Sequence, residues 1–574
     1  MQSRGTEKYE GGKMINPLKL HTIINSDGTR TASSTMSSSA HQQEKEIGVK
    51  AAKVVPIVFI PGIMGTNLWN NRTKKIAWIA PNTDTILSSI AAIGSFLSSL
   101  FSSAKDRQND LDGRERMITV YNDGPIGGSG LKEDFNKDEL KRRGWGGIMR
   151  SAYHPIMESI QNEMNSVLVE NNLQGWWKDH ADHAPAEWGD WNDNPPLSQL
   201  PDEQGLKHVA EIRYEVWAGG YNWLQSNDDS ASDIIKFIDN TVLPSYESAE
   251  KVIIVTHSMG GLVARAMVGR HNCEQIYGVI HGAMPATGAP AAYRRIRAGF
   301  EGAGAAGFIA RQILGPTASE TTAVLAFSKG GLELLPSKEY DNKKPWLFAR
   351  KSDSPSENLI ALPKSGDPYN DIYLSKKWWG LVPEENEKLI DPNAFSETEA
   401  KGDWGSTPTK RQIFEKNIRA VRGFHDSIKK AYHPYTYVHY SGEAKELELL
   451  TWSDIVWKSD WIGWGDINEF KITRDDSTGT IELDAGYKFT FAPKYSPGDG
   501  TVPLCSSASS RDFPTTRAAF AHGNNNTLNP AACRQGIYNN STGYEHQSSY
   551  NDTKGRTLFA TLYSIVRVSQ HVTF

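Results

Sequence analysis

The segment Lys251 to Arg270, KVIIVTHSMGGLVARAMVGR, constrains the fold more than any other part of the chain. Lys251 to Thr256 is a short apolar run rich in β-branched residues, the composition of a strand covered on both faces. Ser258 to Arg270 then reads as a helix with two glycines near its start. A serine between strand and helix, flanked by small residues, reads as a nucleophile elbow, a sharp and strained turn that lifts the hydroxyl above the sheet. The neighbours must be small because strand and helix approach closely there. The amino end of the helix also aims its dipole and free N–H groups at the hydroxyl, which favours developing negative charge. Thr256 stands where such turns most often carry glycine. The plain alternative is a serine that caps an ordinary helix after a strand.

Other segments repeat the alternation. Val54 to Ile60 is a continuous apolar run ending at Pro61-Gly62, and Glu211 to Trp217 (EIRYEVW) alternates as a strand does. Ala231 to Leu243 carries Ile234, Ile235, Phe237 and Ile238 at helical spacing. Ile276 to Ala283 is a further strand, Tyr435 to Tyr440 and Tyr487 to Phe491 are late strand candidates, and Thr557 to Ser569 is a closing helix. Strand and helix alternating at short spacing predict an α/β fold with a mostly parallel, doubly wound sheet. Between the core pieces lie long insertions, at about 86–205 and 295–430, which we read as cap or lid material. They hold Trp145, Trp176, Trp177, Trp188, Trp191, Trp346, Trp378, Trp379 and Trp404. Residues 1–52 show no sustained hydrophobic period and are expected to form a mobile arm.

Composition narrows the function. Lys and Arg number 62 against 67 Asp and Glu, a formal charge of −5, which does not favour nucleic acid as the partner. Cys273, Cys505 and Cys533 cannot build a disulfide framework and show no metal-ligand spacing. The first residues are polar and lack the apolar core of a signal peptide, so export by that route is not expected. Ile86 to Phe101 is uncharged but too short and serine-rich to span a bilayer. It and the Gly/Ala-rich Gly299 to Leu314 are the lid candidates, with ordinary buried helices as the alternative.

Three further motifs bear on chemistry. Pro61-Gly62-Ile63 follows a buried strand, and a Pro-Gly turn there can present an amide, so that Ile63 and Met259 together would form an oxyanion hole. Gly498-Asp499-Gly500 holds a carboxylate in a tight turn, where an acid that orients an imidazole must sit. An Asp-Gly turn is also a common loop. The base must then lie downstream of Asp499, at His522, His546 or His571. His546, in GYEHQ before the closing helix, is favoured, with His522 as rival; His571 lies at the fraying chain end. His257 and His281 read as packing residues.

FIPGIMGTNLW, GYNW, VTHSMGGLVARA, GDGTVP and GYEHQSSY together resemble the lipase-type α/β-hydrolases, near the lecithin:cholesterol acyltransferase-like and glycosylphosphatidylinositol-deacylase-like groups. More narrowly, the chain resembles the bacterial type VI secretion lipase effectors. The resemblance covers the core segments and leaves out residues 1–50 and both insertions. It implies a phospholipase that hydrolyses an acyl ester of membrane glycerophospholipids in a rival cell, delivery by a secretion spike or adaptor, and a cognate immunity protein. By position in the motifs it implies Ser258 as nucleophile, Asp499 as orienting acid and His546 as base, with no metal and no cofactor. Another serine esterase, a thioesterase, or a polysaccharide deacylase whose tryptophans face sugar remains as an alternative on the same core. A non-catalytic binding module on that core is the other.

Overall fold

The computed structural model describes residues 22–24, 30–35, 44–49, 53–80, 82, 103–113, 117–128, 130–169, 172–173, 175–180, 203–301, 315–351, 358–398, 407–442, 446–460, 465–523, 543–551 and 555–573. The lid candidate Ile86–Phe101 lies outside them, as does Gly299–Leu314 from residue 302 onward; so do Trp188, Trp191, Trp404 and Cys533.

Six strands form the central sheet: β1 (Lys53–Ile60), β2 (Ile212–Ala218), β3 (Val252–His257), β4 (Ile276–Gly282), β5 (Thr436–Ser441) and β6 (Thr516–His522). Their order is β2-β1-β3-β4-β5-β6, and every pair is parallel. The helices that the site depends on are α1 (Arg150–Met164), α2 (Asn227–Phe237), α3 (Gly260–Gly269), α4 (Pro290–Ala298), α5 (Lys410–Ile428) and α6 (Arg556–Ser569).

The period of two along the strands explains the continuous apolar runs. Val55, Ile57 and Phe59 of β1, with Ile253 and Val255 of β3, pack in one core with Ile156 and Ile160 of α1 and Phe559 and Leu562 of α6. Val58 and Ile60, with Val252 and Ile254, pack in a second core on the other face with Ile234 of α2, Val263 and Met267 of α3, and Phe424 of α5. The doubly wound parallel architecture expected from the sequence is therefore present.

Tyr487 to Phe491 does contain a strand, Lys488–Phe491, but not a core one. It belongs to a separate sheet of order Asn358–Leu362, Leu347–Lys351, Ile455–Ser459, Lys488–Phe491, Thr480–Leu483 and Ile472–Asp475. The sixth core strand is β6, which the sequence reading did not contain. The second sheet has its own aromatic core, in which Trp346, Trp378 and Trp457 are each 1% exposed. Trp145 and Trp177 are likewise buried. These tryptophans fill interiors and offer no ring face to a sugar, since stacking needs an exposed one. Within residues 1–52, Thr22–Ile24, Arg30–Thr35 and Glu44–Val49 pair as a small antiparallel sheet. Among the described residues, no helix is long and apolar enough to cross a membrane.

Strand β2 lies at a sheet edge, yet Arg213 and Glu215 are buried there. The Arg143 guanidinium donates to Glu215 and to Glu139, both at 2.6 Å, and Arg213 donates to Glu215 at 2.6 Å and to Glu133 at 2.5 Å. Burial works against the charge on Arg143, and the carboxylates of Glu215 and Glu139 more than reverse that effect.

Candidate active site

Register places the elbow. Thr256 of β3 pairs with Ile60 of β1, so the chain leaving β1 at Pro61-Gly62 runs alongside His257 and Ser258. A Cβ on Gly62 would lie 2.9 Å from Ser258 Cβ, and one on Gly260 would lie 2.5 Å from the Ile60 carbonyl oxygen. Glycine is required at both positions by this close approach. Ser258 itself has φ of 52°, the left-handed region that costs a non-glycine residue about 1–2 kcal/mol. It precedes α3 and lies outside any helix, so the ordinary helix-cap alternative does not describe it. Thr256, in the place of the usual glycine, is fully buried, and its hydroxyl meets His281 Nδ1 at 3.1 Å. Its carbonyl accepts from the Tyr550 hydroxyl at 3.0 Å. The methyl and hydroxyl that glycine would lack are thus accommodated by a built pocket.

The Ser258 hydroxyl lies 2.8 Å from His546 Nε2, and His546 Nδ1 lies 2.7 Å from Asp499 Oδ2. The other Asp499 oxygen accepts the amides of Thr501 at 3.0 Å and Val502 at 2.7 Å. The turn is anchored to the end of β5, where the Ser441 hydroxyl donates to the Gly498 carbonyl at 2.9 Å. His546 comes from the segment between β6 and α6, and its amide donates to the Asp499 carbonyl at 2.9 Å. Three residues far apart in the chain therefore form one line at the carboxyl ends of the parallel strands, the usual place for a site in such sheets.

His522 is not part of that line. It closes β6, is fully buried beside His439 and Tyr544, and neither ring nitrogen has a hydrogen-bond partner among the described residues. Burial holds its pKa well below the ordinary histidine value. His571 stacks on Tyr435 at 4.2 Å.

For His546, burial disfavours the charged ring, but the charge of Asp499 and its hydrogen bond outweigh that and raise the pKa above the ordinary value. Since Nδ1 faces a carboxylate, it carries the proton in the neutral ring, and Nε2 is left as the acceptor toward Ser258.

His257 has a role that adjacency to Ser258 alone did not suggest. Its Nε2 meets the His546 carbonyl at 2.9 Å and must donate, so its Nδ1 accepts from the Tyr153 hydroxyl at 3.0 Å. The Tyr153 oxygen in turn accepts the Gly62 amide at 3.3 Å. Burial keeps His257 neutral, with a pKa well below the ordinary value. This relay ties the loop after β1 to the segment carrying His546. With Gly62 committed to Tyr153, the next amide along is Ile63. The amides of Ile63, the residue after Gly62, and of Met259, the residue after Ser258, have no protein acceptor among the described residues. Such N–H groups suit an oxyanion. Among the described residues no group of three or more His, Cys, Asp or Glu could hold a metal ion.

Residues 208–303, which carry β2, the elbow and β4, match the PGAP1-like alpha/beta domain family. No curated protein matches the chain. A solved chain in the crystal structure of the Tle4-Tli4 complex is similar at 34% identity with a TM-score of 0.76, and the alignment covers 92% of this chain and 100% of that one. Likeness of this extent reaches past the core motifs into the insertions, and with the parallel sheet it shows that the chain belongs to the type VI lipase effectors of the α/β-hydrolase fold.

Proposed function

We propose that this effector is a serine-dependent phospholipase of the A type, with Ser258 as nucleophile, His546 as general base and Asp499 as the acid that orients it. The observation that carries the reading is the continuous Ser258–His546–Asp499 line, at 2.8 and 2.7 Å, on a serine held at positive φ. In the first half-reaction His546 Nε2 takes the hydroxyl proton as Ser258 Oγ attacks the ester carbonyl carbon. The carbonyl oxygen becomes an oxyanion facing the amides of Ile63 and Met259, and each such donor contributes about 3–4 kcal/mol. The imidazolium, stabilised by Asp499, then gives its proton to the departing alcohol. In the second half-reaction water attacks the acyl-serine with His546 again as base, which releases the fatty acid and restores the serine.

The rest of the reading follows the relative. The Tle4–Tli4 pairing supports a cognate immunity protein for this chain. Delivery by the type VI apparatus, through a spike or adaptor, to the membrane of a target cell follows from the same kinship. We further read the insertions as a cap over the hydrolase core.

Release of fatty acid from phospholipid vesicles, compared with release of acetate from acetylated glycans, tests the substrate class. The base must be neutral, so kcat/KM is expected to rise with pH through a pKa above about 6.5. In Asp499→Asn the two largest influences that raise this pKa are gone, and burial faces only the weaker charge of Glu545. The acid limb should move to lower pH while kcat falls by about 10⁴-fold. A limb that stays in place in Asp499→Asn would remove Asp499 from the site.

A further inference from the structure

The loop after β1 is held one peptide group at a time. The Pro61 carbonyl accepts from the Tyr221 hydroxyl at 3.0 Å. The Gly62 amide donates to the Tyr153 hydroxyl, and the Gly62 carbonyl accepts the Gly65 amide at 3.1 Å. The Met64 carbonyl accepts from the Trp78 indole at 2.8 Å, and the Gly65 carbonyl accepts the Met149 amide at 2.8 Å, just before α1. Tyr153, Tyr221 and Trp78 are all buried. Of the amides from Gly62 to Gly65, those of Ile63 and Met64 have no protein acceptor among the described residues. Met64 also sits at φ of 64°, a conformation that a non-glycine residue keeps only where its surroundings over-determine it. The loop is therefore fixed on every side but the one that offers the Ile63 amide.

Two of the anchors come from parts of the chain that the proposed chemistry does not use. Tyr221 belongs to GYNW, just past β2, and that segment grips the loop a second time: the Trp223 indole donates to the Thr66 carbonyl and the Tyr221 amide to the Thr66 hydroxyl, both at 3.3 Å. Tyr153 lies on α1, within the first insertion. Its hydroxyl stands in the middle of a chain whose donors all point one way. The Gly62 amide donates to Tyr153, Tyr153 to His257 Nδ1, and His257 Nε2 to the His546 carbonyl. Bonds arranged head to tail polarise one another. Burial pushes the Tyr153 pKa above the ordinary value, so the hydroxyl keeps the proton that this chain needs. An oxyanion donor is effective only where it is already in place when charge develops, and a misplacement of about 1 Å costs about 100-fold in rate.

We propose that the Tyr153 and Tyr221 hydroxyls are positioning groups for the reaction: they fix the Pro61-Gly62 peptide so that the Ile63 amide faces the oxyanion, and Tyr153 ties that amide to His546 through His257. The inference rests on the phospholipase reading above and deepens it. The oxyanion donor and the base are then held as one unit, set before substrate arrives.

The test measures kcat and KM on phospholipid, and the affinity of a long-chain trifluoromethyl ketone whose adduct with serine carries an oxyanion. The proteins are the full chain, Tyr153→Phe, Tyr221→Phe and Gln161→Met. Gln161 is the control for lost buried bonds, since it is buried on the same helix and its side chain bonds the backbone of β2 at 2.8 and 3.1 Å. Each tyrosine variant is expected to lower kcat by about 30- to 100-fold with KM within about threefold, and to weaken the ketone by a comparable factor. Gln161→Met should lower the urea midpoint and leave kcat and the ketone affinity in place. Should Tyr153→Phe fail to fold, Tyr221→Phe, which gives up a single bond, decides the matter. Unchanged kcat and ketone affinity in a folded tyrosine variant would overturn the proposal. A loss confined to KM, or an equal loss in Gln161→Met, would mark a structural role and also overturn it. If the wild type releases no fatty acid from phospholipid, or Ser258→Ala keeps its activity, the phospholipase reading itself fails and takes this inference with it.

Discussion

Ser258→Ala is expected to lower phospholipid hydrolysis by about a million-fold, and His546→Ala by a comparable amount, the loss seen when a member of such a unit is removed. His522→Ala should keep activity within about tenfold, because His522 is buried beside His439 and Tyr544 and its ring nitrogens bond neither Ser258 nor Asp499. The two losses should not add in the double variant, since either change alone disables the same proton transfer. Ser258→Ala should leave the denaturant midpoint close to that of the wild type. Alanine occupies the same positive φ at the same cost, and only the bond to His546 Nε2 is lost. Activity with both substitutions separately removed from stability is what distinguishes chemistry from damage to the elbow. Full activity in His546→Ala with loss in His522→Ala would reverse the assignment of the base.

Glu215→Ala is expected to destabilise the protein by about 3–5 kcal/mol, the usual cost of removing one partner from a buried ion network. The Glu215 side chain is 1% exposed and takes 2.6 Å bonds from both Arg143 and Arg213. Its loss leaves two guanidinium groups in the interior, of which Arg143 keeps Glu139 and Arg213 keeps Glu133. The measurement is the shift in urea midpoint with the slope unchanged. A shift equivalent to less than about 1 kcal/mol would mean that water reaches the network, as at an exposed ion pair. Replacement of the whole network by apolar residues of similar volume should cost far less than the single change, because no unpaired charge then remains.

Much of the site could be read from the chain. The serine, acid and histidine lie in an order and in turns that the chemistry demands, and the structure brings Ser258, Asp499 and His546 together. The glycines at 62 and 260 explain themselves only in three dimensions, as spaces a side chain would fill. What escaped the sequence has definite causes. β6, TRAAFAH, is three parts alanine among seven residues, which lacks the branched and aromatic signature of a strand. It is a strand because β5 pairs with it and α6 covers it, and neither fact is local. Without it, His522 stood as a rival for the base. The strand Lys488–Phe491 was recognisable by its period of two, but that period says nothing about which sheet a strand joins. In β2 the alternation of charge with apolar residues marks a strand but not its burial: all seven residues are buried and the charges answer one another. Adjacency to the elbow made His257 look like a packing residue. Its part in joining the Gly62 loop to His546 depends on Tyr153, about a hundred residues upstream.

The measurement that bears most directly on the account is mass-spectrometric mapping of a fluorophosphonate adduct. The account predicts one adduct on Ser258 in the wild type and in His522→Ala, formed at least a hundredfold more slowly in His546→Ala. Modification at another residue, or rapid labelling of Ser258 in His546→Ala, would contradict it.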